Sequence, residues 1–363
     1  DRSSAASDVY KRQQEKVSVK QFLMNVLNAV GIGVVVALAP NALLGELLKF
    51  LKEGNVVLET LFQMVVLVQF FMPFIIGVLA AYHFKFNGAV ATTIGVSAQL
   101  GSGAVQFKDG AFQLVGIGDI INVILVLIIA CLIYYLLQGK LGSFELITIP
   151  ILIPIVSGGI GLITLPYVAK VTQGLGNIIN TFTELNPLVM SILICIAFAL
   201  LMVTPISLVA IAAAIGLTGL GSGAANLGIV AACVTFLFGS LRINSVGVNV
   251  MLFSGATKMM IPVYFKHLII MVPLIINGII GGLLAYFANI QGTPMSAGFG
   301  YVGLVGPINA YNRMGGDPIM NIIILLFVFL IIPFTCAFFV HQICKKLIKP
   351  YSDEIYKFEL PES

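Results

Sequence analysis

Two stretches, SLRINSVGVNVMLFSGATKMMIP (240–262) and IQGTPMSAGFGYVGLVGPINAYNRMGG (290–316), are apolar yet poor as ordinary helices. Glycine costs about 1 kcal/mol in a helix interior and proline about 3 kcal/mol. Inside a bilayer, every backbone group freed by such a break must find a partner. Irregular backbone therefore persists only where protein or a watery cavity encloses it. Both stretches predict broken segments folded back into a membrane around a hydrated pocket. For 290–316 an extramembrane loop is the alternative, but Gly303, Leu304, Val305 and Gly306 still read as membrane-embedded.

The rest of the chain fits a bilayer. Of 363 residues, 59% are hydrophobic and 9% charged, with a mean hydropathy of +1.06. Soluble domains carry about 25% charged residues; so few charges could not cover a soluble fold. At about 20 residues per spanning helix there is room for roughly eight to ten spans. The predicted fold is an all-α polytopic membrane protein with roughly eight to ten transmembrane helices and re-entrant or broken helical segments. Spans are predicted at 21–40, 58–82, 117–138, 146–168, 187–206, 266–289 and 319–343, with a weaker one at 88–106. Residues 172–186 read as amphipathic and interfacial. GLGSGAAN (219–226), between the apolar runs 207–219 and 226–239, predicts an interrupted span or a helical hairpin. A short echo between GSGAVQFKDG (101–110) and FSGATKMMIP (253–262) fits a two-fold pseudo-repeat.

The net charge is +4. Lys11, Arg12, Lys16 and Lys20 precede the first apolar run, and Lys345, Lys346 and Lys349 follow the last. By the positive-inside rule both ends face the cytoplasm, which predicts an even number of crossings of an inner membrane. The basic clusters read as juxtamembrane signals, with no nucleic-acid partner. Residues 1–16 read as a disordered tail whose place in the natural protein is open, 17–346 as the membrane domain and 347–363 as a cytoplasmic tail. No cleavable signal peptide is evident. The five cysteines are scattered and form no CxxC pair, so neither disulfides nor a metal site is indicated.

An ionisable residue at membrane depth costs about 2.5–3.5 kcal/mol and invites a functional role. Asp119 is either a ligand for solute hydroxyls or an acid favoured by a helix N-terminus. Glu184 is either a solute-binding carboxylate beside Asn186 or a solvated interfacial acid. Glu59 reads as a helix-end cap, and Lys266 with His267 as a helix end at the cytoplasmic face. Lys258 directly follows SGAT and is better placed to act. Asn244, Asn249, Asn309 and Asn312 lie in the broken half, and amides offer the donors and acceptors that a neutral polyol demands. The predicted solute-binding set is Asn244, Asn249, Lys258, Asn309, Asn312, Asp119 and Glu184. Gly255, Gly298, Gly300, Gly303 and Gly306 are predicted to permit turns and close helix approach. No Walker motif, nucleophile with its base, or metal-ligand cluster is present, so no cofactor and no self-contained enzyme is predicted. His83, His267 and His341 are far apart.

GIGDIIN (116–122), SGGIGLITLPYV (157–168), SGATKMMIP (254–262) and PMSAGFGYVGLVGP (294–307) occur in an order that resembles the membrane component IIC of the bacterial phosphotransferase system. The similar branch is the one containing the perfringolysin O regulator, and the resemblance covers nearly all of 20–345. It implies a homodimeric sugar permease with a scaffold region and a transport region carrying re-entrant hairpins. It also implies separate cytosolic IIA and IIB proteins that carry the phosphoryl chemistry. The Gly-Ile-Thr-Glu-Pro-like motif of sugar-specific members is absent here. An uncoupled transporter of the same fold and a membrane sensor of gene expression remain the other expected readings.

Overall fold

The computed structural model describes residues 18–359. The expected tail at 1–16, with Lys11, Arg12 and Lys16, lies outside the described residues, as do residues 360–363. Among the described residues, six helices or helix runs are long and apolar enough to cross a membrane, or seven counting one bent pair; Pro187–Met202 is a shorter apolar helix.

In the first half, α1 (Val19–Pro40) is capped by Ser18, whose Oγ accepts the Gln21 N–H at 3.2 Å. A π turn at Asn41–Gly45 and the short α2 (Glu46–Leu51) follow. α3 (Val56–Phe70) and α4 (Met72–His83) form a rod bent by 49°. Pro73 forces that bend, and Gln99 of α5 (Gly88–Gly101) satisfies the opened backbone. Its Nε2 donates to Phe70 O at 3.0 Å and its Oε1 accepts from Phe74 N at 3.2 Å. A hairpin follows, β1 (Val105–Lys108) paired with β2 (Ala111–Leu114). Asp109 (φ 54°) and Gly110 (φ 79°) supply its left-handed turn. α6 (Ile120–Leu137), α7 (Glu145–Ile153) and α8 (Gly159–Phe182) complete the half. A π turn at Pro154–Gly158 makes α7 and α8 one run of 38 residues. The sequence 172–182 therefore continues this helix rather than forming a separate interfacial segment. At 1.5 Å per residue the run spans about 57 Å, longer than a hydrocarbon core of about 30 Å.

The second half is built around α11 (Gly219–Ser240), which is buried along nearly its whole length. The stretch GLGSGAAN, expected to interrupt a span, forms the first two turns of this helix. Its glycines serve close approach. A Cβ on Gly223 would strike the Ile290 carbonyl, and one on Gly228 would lie 2.5 Å from the Cys195 carbonyl. Small residues that let backbones approach take the place of hydrophobic driving force in lipid. The partners are α9 (Pro187–Met202) and α14 (Met271–Phe287). Asn277 donates to Thr235 Oγ1 at 2.8 Å, and Gly281 lies against Leu227, so α14 runs antiparallel to α11. Gly282 meets Ile192 and Gly278 meets Ile196, so α9 runs antiparallel to α14 and parallel to α11. The run of α16 (Pro318–Leu326) and α17 (Ile332–Leu347) packs outside this trio.

Gly228→Val is expected to lower the melting temperature of the detergent-solubilised protein, through overpacking of about 1–3 kcal/mol. Gly159→Ala, where an added Cβ meets nothing within 4 Å, is expected to leave it unchanged or slightly raised. Circular dichroism on heating checks both.

Candidate functional site

Three segments enter the second half and turn back without crossing it. The first is α9 followed by α10 (Leu208–Ala214). α9 starts beside the N-terminal end of α11, breaks at Val203–Ser207, and α10 returns the chain to Gly219. The second is 288–311. It starts at the same end, where Gly292 and Gly219 exchange two backbone hydrogen bonds of 3.0 Å and Ser222 Oγ donates to Thr293 O at 2.8 Å. It descends until Gly300 N donates to Asn226 Oδ1 at 3.0 Å, then returns through α15 (Val305–Tyr311). Asn309 there accepts from Thr293 Oγ1 at 3.2 Å.

The third is 241–266, comprising α12 (Val246–Phe253), a 3-10 turn at Thr257–Met260 and α13 (Ile261–Lys266). It enters from the other end. Its start is held where Asn244 bonds Tyr356 and Phe358, and its finish where Lys266 pairs with Glu359 at 3.2 Å. Both ends of the segment thus lie at the C-terminal end of α11.

The tips meet beside Cys233, about 21 Å along α11 from Gly219 and about 10 Å from Ser240. Thr257 Oγ1 lies 3.0 Å from Cys233 Sγ. Gly255 (φ 96°) packs so closely on Val302 that a Cβ could not fit between them. Lys258 Nζ donates to Thr204 O at 2.7 Å and to Ile206 O at 2.8 Å. α9 ends at Met202 and α10 begins only at Leu208, so no helical N–H takes these carbonyls. The negative end of the helix dipole also favours a cation there. An ammonium has three donors, and these two bonds leave one. Across from it, in the first half, Asp119 is close enough for its charge to act on Lys258. Asp119 Oδ1 caps α6 by accepting the Asn122 N–H at 3.0 Å, while Oδ2 makes no hydrogen bond among the described residues. The meeting of the breaks thus offers one charged donor, with a charged acceptor of the other half at longer range.

The chain also matches the family model described as "Phosphotransferase system, EIIC" over residues 24–358. It belongs to that EIIC family. Comparison with curated proteins and with solved structures returns no match.

In this EIIC protein, Lys258 lies at the meeting of the breaks with Asp119 only at longer range, and the other expected ligands are spread along the bundle. Asn309 sits in the second infold, bonded to Thr293 and donating to Val305 O at 2.9 Å. Asn312 is exposed just past α15, and Glu184 is exposed in the α8–α9 connection. Asn244 and Asn249 lie at the opposite end, where Ser240 Oγ donates to Asn249 Oδ1 at 2.7 Å. Of the glycines, Gly298 (φ 95°), Gly300 (φ 63°) and Gly303 (φ 58°) make left-handed turns in the second infold. Gly306 has φ outside that region and packs on the Gly300 carbonyl. The anticipated hydrated pocket is not what lies beside the tips. A cavity of about 850 Å³ opens there, walled by Phe253, Ser254, Tyr301, Val302, Leu325 and Phe329 among others, and its lining is almost wholly apolar.

The echo between the halves has a local counterpart. Ser102 and Ser254 each end a helix and donate Oγ back three residues at 2.8 Å, to Gln99 O and Met251 O. A left-handed glycine follows each, Gly103 (φ 78°) and Gly255.

Residues not singled out in the sequence matter as much. The Thr204 and Ile206 carbonyls were signalled only by Pro205 at the end of an apolar run. Asn122, fully buried, donates Nδ2 to Gly101 O and to Gly161 O at 2.7 Å, and accepts from Thr164 Oγ1 at 2.7 Å. It fixes α6, and with it Asp119, against α5 and α8. Asn122→Ala is expected to destabilise the protein by about 1–3 kcal/mol, chiefly through the Gly101 carbonyl, since Gly161 O keeps the Thr164 hydroxyl at 3.1 Å; a lower melting temperature with membrane insertion retained would show it.

Proposed function

We propose that the chain is the carbohydrate-translocating subunit of a phosphotransferase system, passing its solute inward to separate cytosolic IIB and IIA proteins. One observation carries this reading. Segments entering from both ends of α11 meet at the single amine of Lys258, with the carboxylate of Asp119 at longer range in the other half. Discontinuous elements that meet part-way through a bundle are where transporters hold polar solutes. The uncommitted N–H of Lys258 and the Oδ2 of Asp119 suit a hydroxyl pair, with the N–H as donor and the carboxylate as acceptor. Asn309 and Asn312 would line the approach from one end; Asn244 and Asn249 would act from the other.

Family membership supports a carbohydrate and cytosolic partners in general terms, and the quoted motifs support the branch with the perfringolysin O regulator. A homodimer in the bacterial inner membrane is what that resemblance implies. Arg242, Lys266, Lys345, Lys346 and Lys357 all lie towards the end of the bundle where 241–266 begins and finishes. By the positive-inside rule that end faces the cytoplasm.

The test is uptake of a panel of radiolabelled sugars into membrane vesicles, with and without cytosolic phosphotransfer proteins. One sugar is expected to enter and be phosphorylated only when those proteins are present. Lys258→Met is expected to raise its half-saturating concentration about 10- to 100-fold, the equivalent of a lost charged hydrogen bond of about 1.5–3 kcal/mol, with normal membrane insertion. Uptake indifferent to the phosphotransfer proteins would make the protein an uncoupled transporter. No uptake of any sugar would leave sensing as its role.

A further inference from the structure

The segment that follows α17 does not hang free. Residues 351–359 lie across the end of the bundle and bond three separate elements. On α17, His341 Nδ1 lies 2.8 Å from Tyr351 Oη and His341 Nε2 lies 2.8 Å from Asp353 Oδ1. Lys345 Nζ donates to Asp353 Oδ2 at 2.6 Å. Tyr351 Oη is 2.7 Å from Tyr356 Oη. A proton order running from Tyr356 to Tyr351 to His341 to Asp353 satisfies every member. Burial works to raise the Asp353 carboxyl, but the hydrogen bonds from Lys345 and His341 outweigh it and hold the group below the ordinary carboxylate range.

On α11, the Tyr356 ring, fully buried, covers Gly239 so closely that no Cβ could be added there, and stacks edge-on with Phe236 at 5.7 Å. At the start of the third infold, Asn244 Nδ2 donates to Tyr356 O at 2.7 Å and Asn244 Oδ1 accepts the Phe358 N–H at 2.7 Å. The same amide donates to Ser240 Oγ at 2.8 Å, and Ser240 in turn bonds Asn249. At the finish of that infold, Lys266 pairs with Glu359.

One short strap thus grips both the start and the finish of the segment whose tip carries Lys258. The two halves of that segment, α12 and α13, are 8 and 6 residues long. Helices shorter than about 12 residues are marginal without outside support. We propose that residues 351–359 form a clamp that sets the position of the 241–266 infold, and so holds the Lys258 ammonium against the Thr204 and Ile206 carbonyls. Asn244 is the buckle of this clamp, a positioning residue acting through the strap. Release of the strap loosens the infold while the remaining helices keep their packing. The inference rests on the infold geometry and only its consequence for solute rests on the permease reading.

Hydrogen exchange read by mass spectrometry on the detergent-solubilised protein separates the two. In a chain ended after Pro350, amides of 246–266 are expected to exchange at least 10-fold faster, with those of 120–137 unchanged. Asn244→Ala, which keeps the strap but opens the buckle, is expected to produce the same local loss. It also serves if the shortened chain does not fold. Unchanged protection of 246–266 in both variants would overturn the clamp, and so would a loss spread evenly over the whole chain. Either result leaves the uptake assay, and the permease reading, untouched.

Discussion

The architecture depends on how backbone polarity is satisfied at membrane depth. Every break in a helix there leaves carbonyls and amides that lipid cannot hydrate. Here one break answers another. The opened end of α9 exposes Thr204 O and Ile206 O, and the third infold brings Lys258 to them. The α3–α4 bend exposes Phe70 O and Phe74 N, and the Gln99 amide takes both. The Gly101 and Gly161 carbonyls are bridged by Asn122. Polar side chains in this protein serve first to close the backbone of neighbouring elements.

This economy accounts for the shape of the bundle. α11 is lined with glycine and alanine because three infolded segments and two crossing helices must approach it at once. With large side chains on that helix, the tips at Gly255 and Val302 could not reach each other beside Cys233. The same compactness leaves little polar surface uncommitted. What remains at the meeting point is one N–H of Lys258.

Much of this was legible in the sequence and some was not. The apolar spans and the fractured character of 240–262 and 290–316 follow from composition, because glycine and proline at such density cannot continue a helix in lipid. Lys258 stood out because a lone amine amid apolar residues demands a reason. The GLGSGAAN stretch misled, since glycine has two uses. It breaks helices that lack support, and it permits close contact in helices that are enclosed, and only the neighbours Cys195 and Ile290 decide between them. The strap that the Asn244 amide holds was not legible, because an amide in a broken segment gives no sign of a partner arriving from more than 100 positions later in the chain. Backbone acceptors such as Thr204 O have no sequence signature of their own.

The central claim is that 241–266 and 288–311 fold inward from opposite ends. Accessibility of single cysteines to a membrane-impermeant thiol reagent, in a background with the five native cysteines replaced, tests it most directly. Val246→Cys and Lys266→Cys are predicted to react from one and the same side of sealed vesicles, and Met295→Cys and Asn312→Cys from the other. Positions 246 and 266 reacting from opposite faces would make that segment an ordinary crossing, and the meeting of tips at Cys233 would then be wrong.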